Sequence, residues 1–139
     1  MTSPSSQPEQ IIPRGEMLLR ALAMPADTNA NGDIFGGWIM AQMDIAGGMM
    51  AKAVAKSRTV TVAVDSIRFI QAVHVGDIFS CYGSVAHIGN TSLKIQLEVW
   101  VEPVLRTGLE NKNSFKVCEG IFTYVAIDDN GQKHKVKRD

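Results

Sequence analysis

The feature that most constrains this chain is an abrupt change of hydrophobic period near residue 57. From Trp38 to about Lys56 the residues are apolar at helical spacing; from Thr59 onward they are β-branched and alternate. In the first stretch Gly37, Met40, Asp44, Gly47, Ala51 and Ala55 recur three to four apart and trace one face of a helix. Ile39, Met43, Met49, Met50 and Val54 occupy the other faces, so this helix is expected to be buried on most sides. Its small residues would let it lie close to a sheet.

After the helix the pattern is that of antiparallel strands. Thr59 to Phe69 is one strand, and Val75-Gly76-Asp77 turns into a second over Ile78 to Ile88. Gly89-Asn90-Thr91 turns back into a third, in which Leu93, Ile95, Leu97, Val99 and Val101 face one way. Lys94, Gln96, Glu98 and Trp100 face the other, which predicts one solvated face. A polar loop from Pro103 to Ser114 leads to a last strand, Phe115 to Ile127, and then to the basic tail Lys133-His134-Lys135-Val136-Lys137-Arg138. Ahead of the helix, Met17 to Met24 is a short apolar run that could be a strand or a helical turn; Pro25 ends it. A long helix followed by long antiparallel strands makes an α+β fold. One helix cannot cover so large a sheet, so a homo-oligomer is expected to complete its face or edge.

The 139 residues suffice for one domain with a real core. Fourteen basic side chains balance fourteen acidic ones, so no net field draws the chain to nucleic acid or to an anionic membrane. The stretch from Trp38 to Ala55 is interrupted by Gln42, Asp44 and Lys52 and would cross a bilayer only at high cost. The first ten residues are polar, hold Pro4 and Pro8, and lack the order of a signal peptide. Residues 1–13 are therefore expected to be a disordered extension, residues 14–139 a single domain, and the location cytoplasmic. Cys81 and Cys118 each lie in an apolar run, as buried free thiols would in a reducing compartment; no clustering of Cys and His suggests a metal.

Asp44 breaks the pattern. It stands mid-helix between Met43 and Ile45, and Met40, Ala41, Gly47 and Gly48 fill the places one turn away, so no basic partner is in reach along the helix. Burying a carboxylate without compensation costs several kcal/mol. Either it is a structural group paired across the fold or at a subunit boundary, or it serves catalysis or a ligand. Gly36-Gly37 at the helix start would leave backbone N–H groups pointing outward at the positive end of the helix dipole, able to stabilise an oxyanion. A bare Gly-Gly is otherwise a tight turn. Seven residues separate Gly37 from Asp44, roughly 10 Å of helix rise, so one substrate would meet both only if the site were shared between subunits. His74, His87 and His134 have no Ser, Cys or second His at a suggestive spacing.

The segment Asp27-Thr28-Asn29-Ala30-Asn31-Gly32-Asp33-Ile34-Phe35-Gly36-Gly37-Trp38-Ile39-Met40, followed by Met43-Asp44, resembles the hotdog-fold acyl-CoA thioesterases, closest to the short bacterial YciA-type enzymes. Residues 60–69 and the Gly89-Asn90-Thr91-Ser92 turn are also similar, and the resemblance runs from about Arg14 to the tail. It implies a sheet wrapped around the long helix, with Met17 to Met24 as first strand. Subunits would pair edge to edge, commonly three pairs to a hexamer. The implied activity is hydrolysis of a broad range of acyl-CoA thioesters to free acid and CoA, without metal or other cofactor. Asp44 would be the catalytic carboxylate, acting as general base or as nucleophile. Asn29 would come from the partner subunit, and the Gly37 N–H would lie near the thioester carbonyl.

CoA carries phosphates that need basic or N–H-rich surroundings. Gly36, Arg58, Arg68, Lys133, Lys135, Lys137 and Arg138, with Thr91 and Ser92, are the candidates. Dehydratases that share the hotdog fold rely on a histidine with a helix carboxylate, and this helix has no histidine. The alternatives are a thioesterase acting on acyl-carrier-protein substrates, which would need a broad basic face, and a non-catalytic acyl-CoA sensor, which would be expected to lack Asp44 or Asn29.

Overall fold

The change of period becomes a change of element. The computed structural model describes residues 12–136. They run β1 (Glu16–Leu22), a 3-10 turn (Pro25–Asp27), α1 (Gly36–Ala55), β2 (Arg58–Phe69), β3 (Ile78–Ile88), β4 (Ser92–Glu102) and β5 (Phe115–Ile127). The ambiguous run before Pro25 is a strand, because the edge of β3 offers it a ladder from Glu16↔Gly83 to Leu22↔Ile78. The sheet order is β1-β3-β4-β5-β2, antiparallel throughout. The expected extension over residues 1–13 lies mostly outside the described residues.

The sheet curls around α1, which is the hotdog arrangement. Ile39, Met43, Ala46, Gly47, Ala51 and Ala55 of α1 are buried with Leu93, Ile95, Leu97 and Val99 of β4 and Phe122 and Tyr124 of β5. Removing a side chain such as Met43 from water stabilises the fold by roughly 1.5–3 kcal/mol. Trp38 meets Phe79 of β3 edge-on, ring centroids 5.2 Å apart, and fixes the start of the helix. The helix stops at Lys56, which takes the left-handed conformation and lets the chain reverse into β2.

Two expectations are corrected. The helix is not buried on most sides: Ile45 is 53% and Met49 45% exposed, because the sheet covers one side of α1 and leaves the other open in the protomer. Nor is the outer face of β4 solvated throughout. Lys94 is exposed, but Glu98 and Trp100 are buried. The Glu98 carboxylate is satisfied there by the Trp100 indole at 3.0 Å and the Arg14 backbone N–H at 3.1 Å, so its burial is compensated. Cys81 and Cys118 are buried and free, as expected.

Among the described residues β2 is an edge strand, paired with β5 alone and bulged twice. Val60 and Val62 are exposed on it, a row of apolar side chains beside unpaired backbone groups. Residues 133–136, the described part of the tail, fold back onto the sheet. Lys133 bridges Ile127, the His134 N–H donates to the Ala126 carbonyl at 3.0 Å, and the Val136 N–H donates to the Asn90 carbonyl at 2.9 Å. Val136 is buried.

Candidate active site

Asp44 sits half-buried midway along α1, on the flank that meets β2 and β5. Its Oδ1 accepts from the Thr61 hydroxyl at 2.6 Å and from the Tyr124 hydroxyl at 3.0 Å. The same phenol lies 3.1 Å from the Asp44 backbone carbonyl. Thr61 and Tyr124 are directly opposed in the β2–β5 ladder, so both side chains emerge on the helix face. The pairing across the fold is therefore made by hydroxyls instead of a cation. Hydrogen bonds to a charged acceptor contribute about 1.5–3 kcal/mol each and offset partial desolvation. Burial, followed by the adjacent Asp44 carboxylate, pushes the Tyr124 phenol well above its ordinary range, so it remains a donor.

Neither partner is legible as such in the sequence. Thr61 reads as one β-branched residue among several, and Tyr124 lies 80 residues from Asp44. The available signal is that a buried tyrosine hydroxyl requires a partner.

Phe35 caps α1 without a side-chain bond, and the N–H groups of Gly36 and Gly37 have no partner among the described residues. A Cβ at Gly36 would stand 3.5 Å from the Phe69 ring, and one at Gly37 3.5 Å from the Phe35 ring. Those are ordinary contacts, so packing within the protomer does not demand glycine there. Both rings are half-exposed and give the free N–H pair an apolar surround.

Asn29 lies on the exposed loop before the helix, and its Oδ1 accepts from the N–H groups of Asn31 at 2.9 Å and Asp33 at 3.2 Å. The amide nitrogen has no partner among the described residues. The loop is tied down by Ile34 N–H to the Val73 carbonyl and Phe35 N–H to the Asp27 carbonyl, each 2.9 Å. Gly37 stands roughly 10 Å along the helix from Asp44, so one protomer does not gather Asp44 and the Gly37 donor at one atom.

The predicted CoA contacts divide into two groups. Arg58, Thr91, Ser92 and Lys133 come together where β2 begins and β5 ends: Arg58 pairs with Ile127, Lys133 bridges Ile127, and Ser92 pairs with Val125. Lys135 follows on the docked tail, while Lys137 and Arg138 lie outside the described residues. Arg68 is at the far end of β2, roughly 30 Å along the strand, where it pairs with Glu119 at 3.4 Å beside Phe69 and Gly36. A cleft of about 410 Å³ lies elsewhere, lined by His74, Val75, Leu105, Arg106, Thr107 and Leu109. In the protomer Asp44 is half-buried and Thr61 is exposed. Among the described residues no group of three or more His, Cys, Asp or Glu side chains is disposed to hold a metal ion, and no helix is long and apolar enough to cross a membrane.

Comparison with known proteins places this architecture. Residues 31–106 match the family described as the Thioesterase superfamily. The acyl-CoA thioester hydrolase YciA of Escherichia coli is 49% identical over 121 residues, 87% of this chain and 90% of its own. HI0827, a hexameric broad-specificity acyl-coenzyme A thioesterase, is solved in an aspartate-to-alanine form. It superposes with a TM-score of 0.85 at 48% identity, over 91% of this chain and 89% of that one. A hexameric thioesterase from Yersinia pestis superposes with a TM-score of 0.84 at 48% identity, over 92% of this chain and 100% of that one. The chain belongs to the thioesterase superfamily and, within it, to the YciA-type acyl-CoA thioester hydrolases.

Proposed function

We propose that this protein hydrolyses a broad range of acyl-CoA thioesters to carboxylic acid and CoA, with Asp44 as the reacting carboxylate. The observation that carries the assignment is a mid-helix carboxylate whose two donors are hydroxyls gathered on Oδ1, which leaves Oδ2 available. As general base, Asp44 takes a proton from water while the water oxygen bonds to the thioester carbon. The C–S bond then breaks, and the proton returns to the departing thiolate. As nucleophile, Asp44 forms a mixed anhydride with release of CoA thiolate, and water then cleaves the anhydride. In both routes the carbonyl oxygen gains negative charge. The Gly37 N–H and the Asn29 amide of a second copy are suited to stabilise it.

The separation of Asp44 from the Gly37 and Asn29 donors within one protomer supports a site shared between copies. The exposed, apolar β2 edge supports pairing there. With relatives that are hexamers, the assembly we propose is a trimer of such pairs. The basic and hydroxyl-bearing cluster of Arg58, Thr91, Ser92, Lys133 and Lys135, continued by Lys137 and Arg138, is assigned to CoA phosphates. Gly36 and Arg68 would face the same ligand from the opposite end of β2. Residues 14–139 are read as one hotdog domain with this tail, working in the cytoplasm with no resident cofactor.

The test is thiol release from short, long and aromatic acyl-CoAs by the wild type and Asp44→Ala, with assembly checked by light scattering. Asp44→Ala is expected to lose about a hundredfold or more in kcat as an intact oligomer. A wild type that binds acyl-CoA but releases no thiol would instead establish a sensor. Single-turnover hydrolysis in heavy-oxygen water tests the anhydride route, because label enters Asp44 only when water attacks the Asp44 carbonyl carbon of such an anhydride.

A further inference from the structure

We propose that Tyr124 and Gly47 act as a positioning pair for Asp44, the phenol holding carboxylate Oδ1 and the missing side chain at residue 47 making room for it. The inference rests on the role assigned to Asp44 above and adds how that group is held in one orientation.

Tyr124 is among the largest fully buried side chains, rooted in β5 between Leu93 of β4 and Thr61 of β2 in the ladders. Its ring crosses from sheet to helix and ends on Asp44, 3.0 Å from Oδ1 and 3.1 Å from the backbone carbonyl. A mid-helix carbonyl has a second lone pair free for such a contact. The phenol is therefore referenced to the helix backbone and to the carboxylate at once. With the Thr61 hydroxyl also on Oδ1 at 2.6 Å, the carboxylate plane is fixed by two donors on one oxygen, and Oδ2 is the atom left for the reaction.

Gly47 has no backbone reason to be glycine. It is inside α1 with no positive φ, and glycine in a helix interior costs roughly 1 kcal/mol relative to alanine. What it gives is space. A Cβ at this position would collide with the Tyr124 hydroxyl and stand 3.0 Å from a Leu97 methyl and 3.1 Å from the phenol ring carbon. Its neighbour Gly48 differs: a Cβ there would meet only Lys52 Nζ at 3.7 Å and a Tyr124 ring carbon at 3.8 Å. Two adjacent helix glycines thus separate into one that the phenol requires and one that it does not.

The titratable groups around this arrangement are few. From β5 there is Tyr124 itself, and from β3 the Cys81 thiol, which adds to the field at the phenol. On the helix, two turns beyond Asp44, the Lys52 ammonium is held by the Thr59 hydroxyl of β2 at 3.0 Å. The face of β4 toward the helix brings Leu97, which is apolar. Removing the phenol hydroxyl removes a donor that favours the charged carboxylate.

The experiment compares kcat, KM and the pH profile of kcat/KM for wild type, Tyr124→Phe, Gly47→Ala, the double variant and Gly48→Ala, each as the intact oligomer. Tyr124→Phe is expected to lower kcat about ten- to a hundredfold with KM within about twofold, and to move the acid limb of kcat/KM to higher pH. Gly47→Ala, which displaces the hydroxyl, is expected to give the same signature, and the double variant to be no worse than Tyr124→Phe alone. Gly48→Ala should resemble the wild type. A purely structural role would lower the melting temperature and leave the acid limb in place, so an unmoved limb in Tyr124→Phe overturns the inference whatever happens to kcat. If Gly47→Ala does not fold, Tyr124→Phe decides alone. A wild type without thiol release, or an Asp44→Ala as active as wild type, overturns the underlying reading and this inference with it. An active, Asp44-dependent enzyme with an unchanged Tyr124→Phe profile overturns only the inference.

Discussion

The ion pair between Asp77 and Arg106 offers the sharpest test of what holds the loops around the site. The Asp77 side chain is fully buried and that of Arg106 is 16% exposed. Asp77 Oδ1 accepts from Arg106 Nε at 3.1 Å, and Oδ2 accepts from Arg106 Nη2 at 2.6 Å and from the His74 backbone N–H at 2.9 Å. The guanidinium also donates to the Ala72 carbonyl at 3.1 Å and lies 5.2 Å over the Phe115 ring. We predict that Asp77→Ala destabilises the protein by about 3–5 kcal/mol, because it leaves a mostly buried cation and an N–H without their acceptor. The residual 16% exposure of Arg106 places the value toward the lower end. Asp77→Asn keeps the shape and the bond from His74 and loses the charge; it should cost about half as much.

The assay is urea unfolding followed by fluorescence of Trp38 and Trp100, at one protein concentration because self-association moves the midpoint. For a slope of about 1–3 kcal/mol/M the midpoint should fall by about 1–3 M with the slope unchanged. The consequence should extend to the site, since residues 72–77 include Val73, whose carbonyl holds Ile34 and thereby the Asn29 loop. A loss below about 1 kcal/mol for Asp77→Ala would refute the reasoning, because it would mean that water serves the two partners as well as they serve each other.

Two further outcomes follow from the same structure. Burial pushes the Cys81 and Cys118 thiols from 9.0 up to about 12. Between those values the native state holds protons that the unfolded chain has released, so stability falls as pH rises from about 9, by about 1.4 kcal/mol per pH unit for each thiol. Urea unfolding across pH 8–10, below the range where the unfolded Tyr124 ionises, should show this slope, and replacing both cysteines by alanine should remove most of it; an unchanged slope in that variant would refute the assignment. Val62, 56% exposed on the β2 edge, should tolerate Val62→Lys within the protomer and yet lower the oligomer mass seen by sedimentation. Unaltered assembly would exclude that edge from the interface.

Much of this molecule is legible in local pattern. The three-to-four spacing from Gly37 to Ala55 and the alternation from Thr59 to Ile127 specify one long helix and four of the five strands, because period is a property of neighbouring residues. Asp44 is legible as an anomaly for the same reason, and the Gly36-Gly37 donors because a helix start must leave N–H groups free. What a local pattern cannot carry is which distant residue arrives opposite. The run before Pro25 becomes a strand because β3 presents an edge to it, and Glu98 and Trp100 are covered although their alternation places them outward. The hydroxyls of Thr61 and Tyr124 reach Asp44 through the register of β2 against β5, not through any spacing in the chain. Gly47 shows the division most plainly. In sequence it is one small residue on a helix face, interchangeable with alanine. Only the closure of the sheet over the helix, which brings a phenol from β5 onto that spot, gives a physical reason for glycine there.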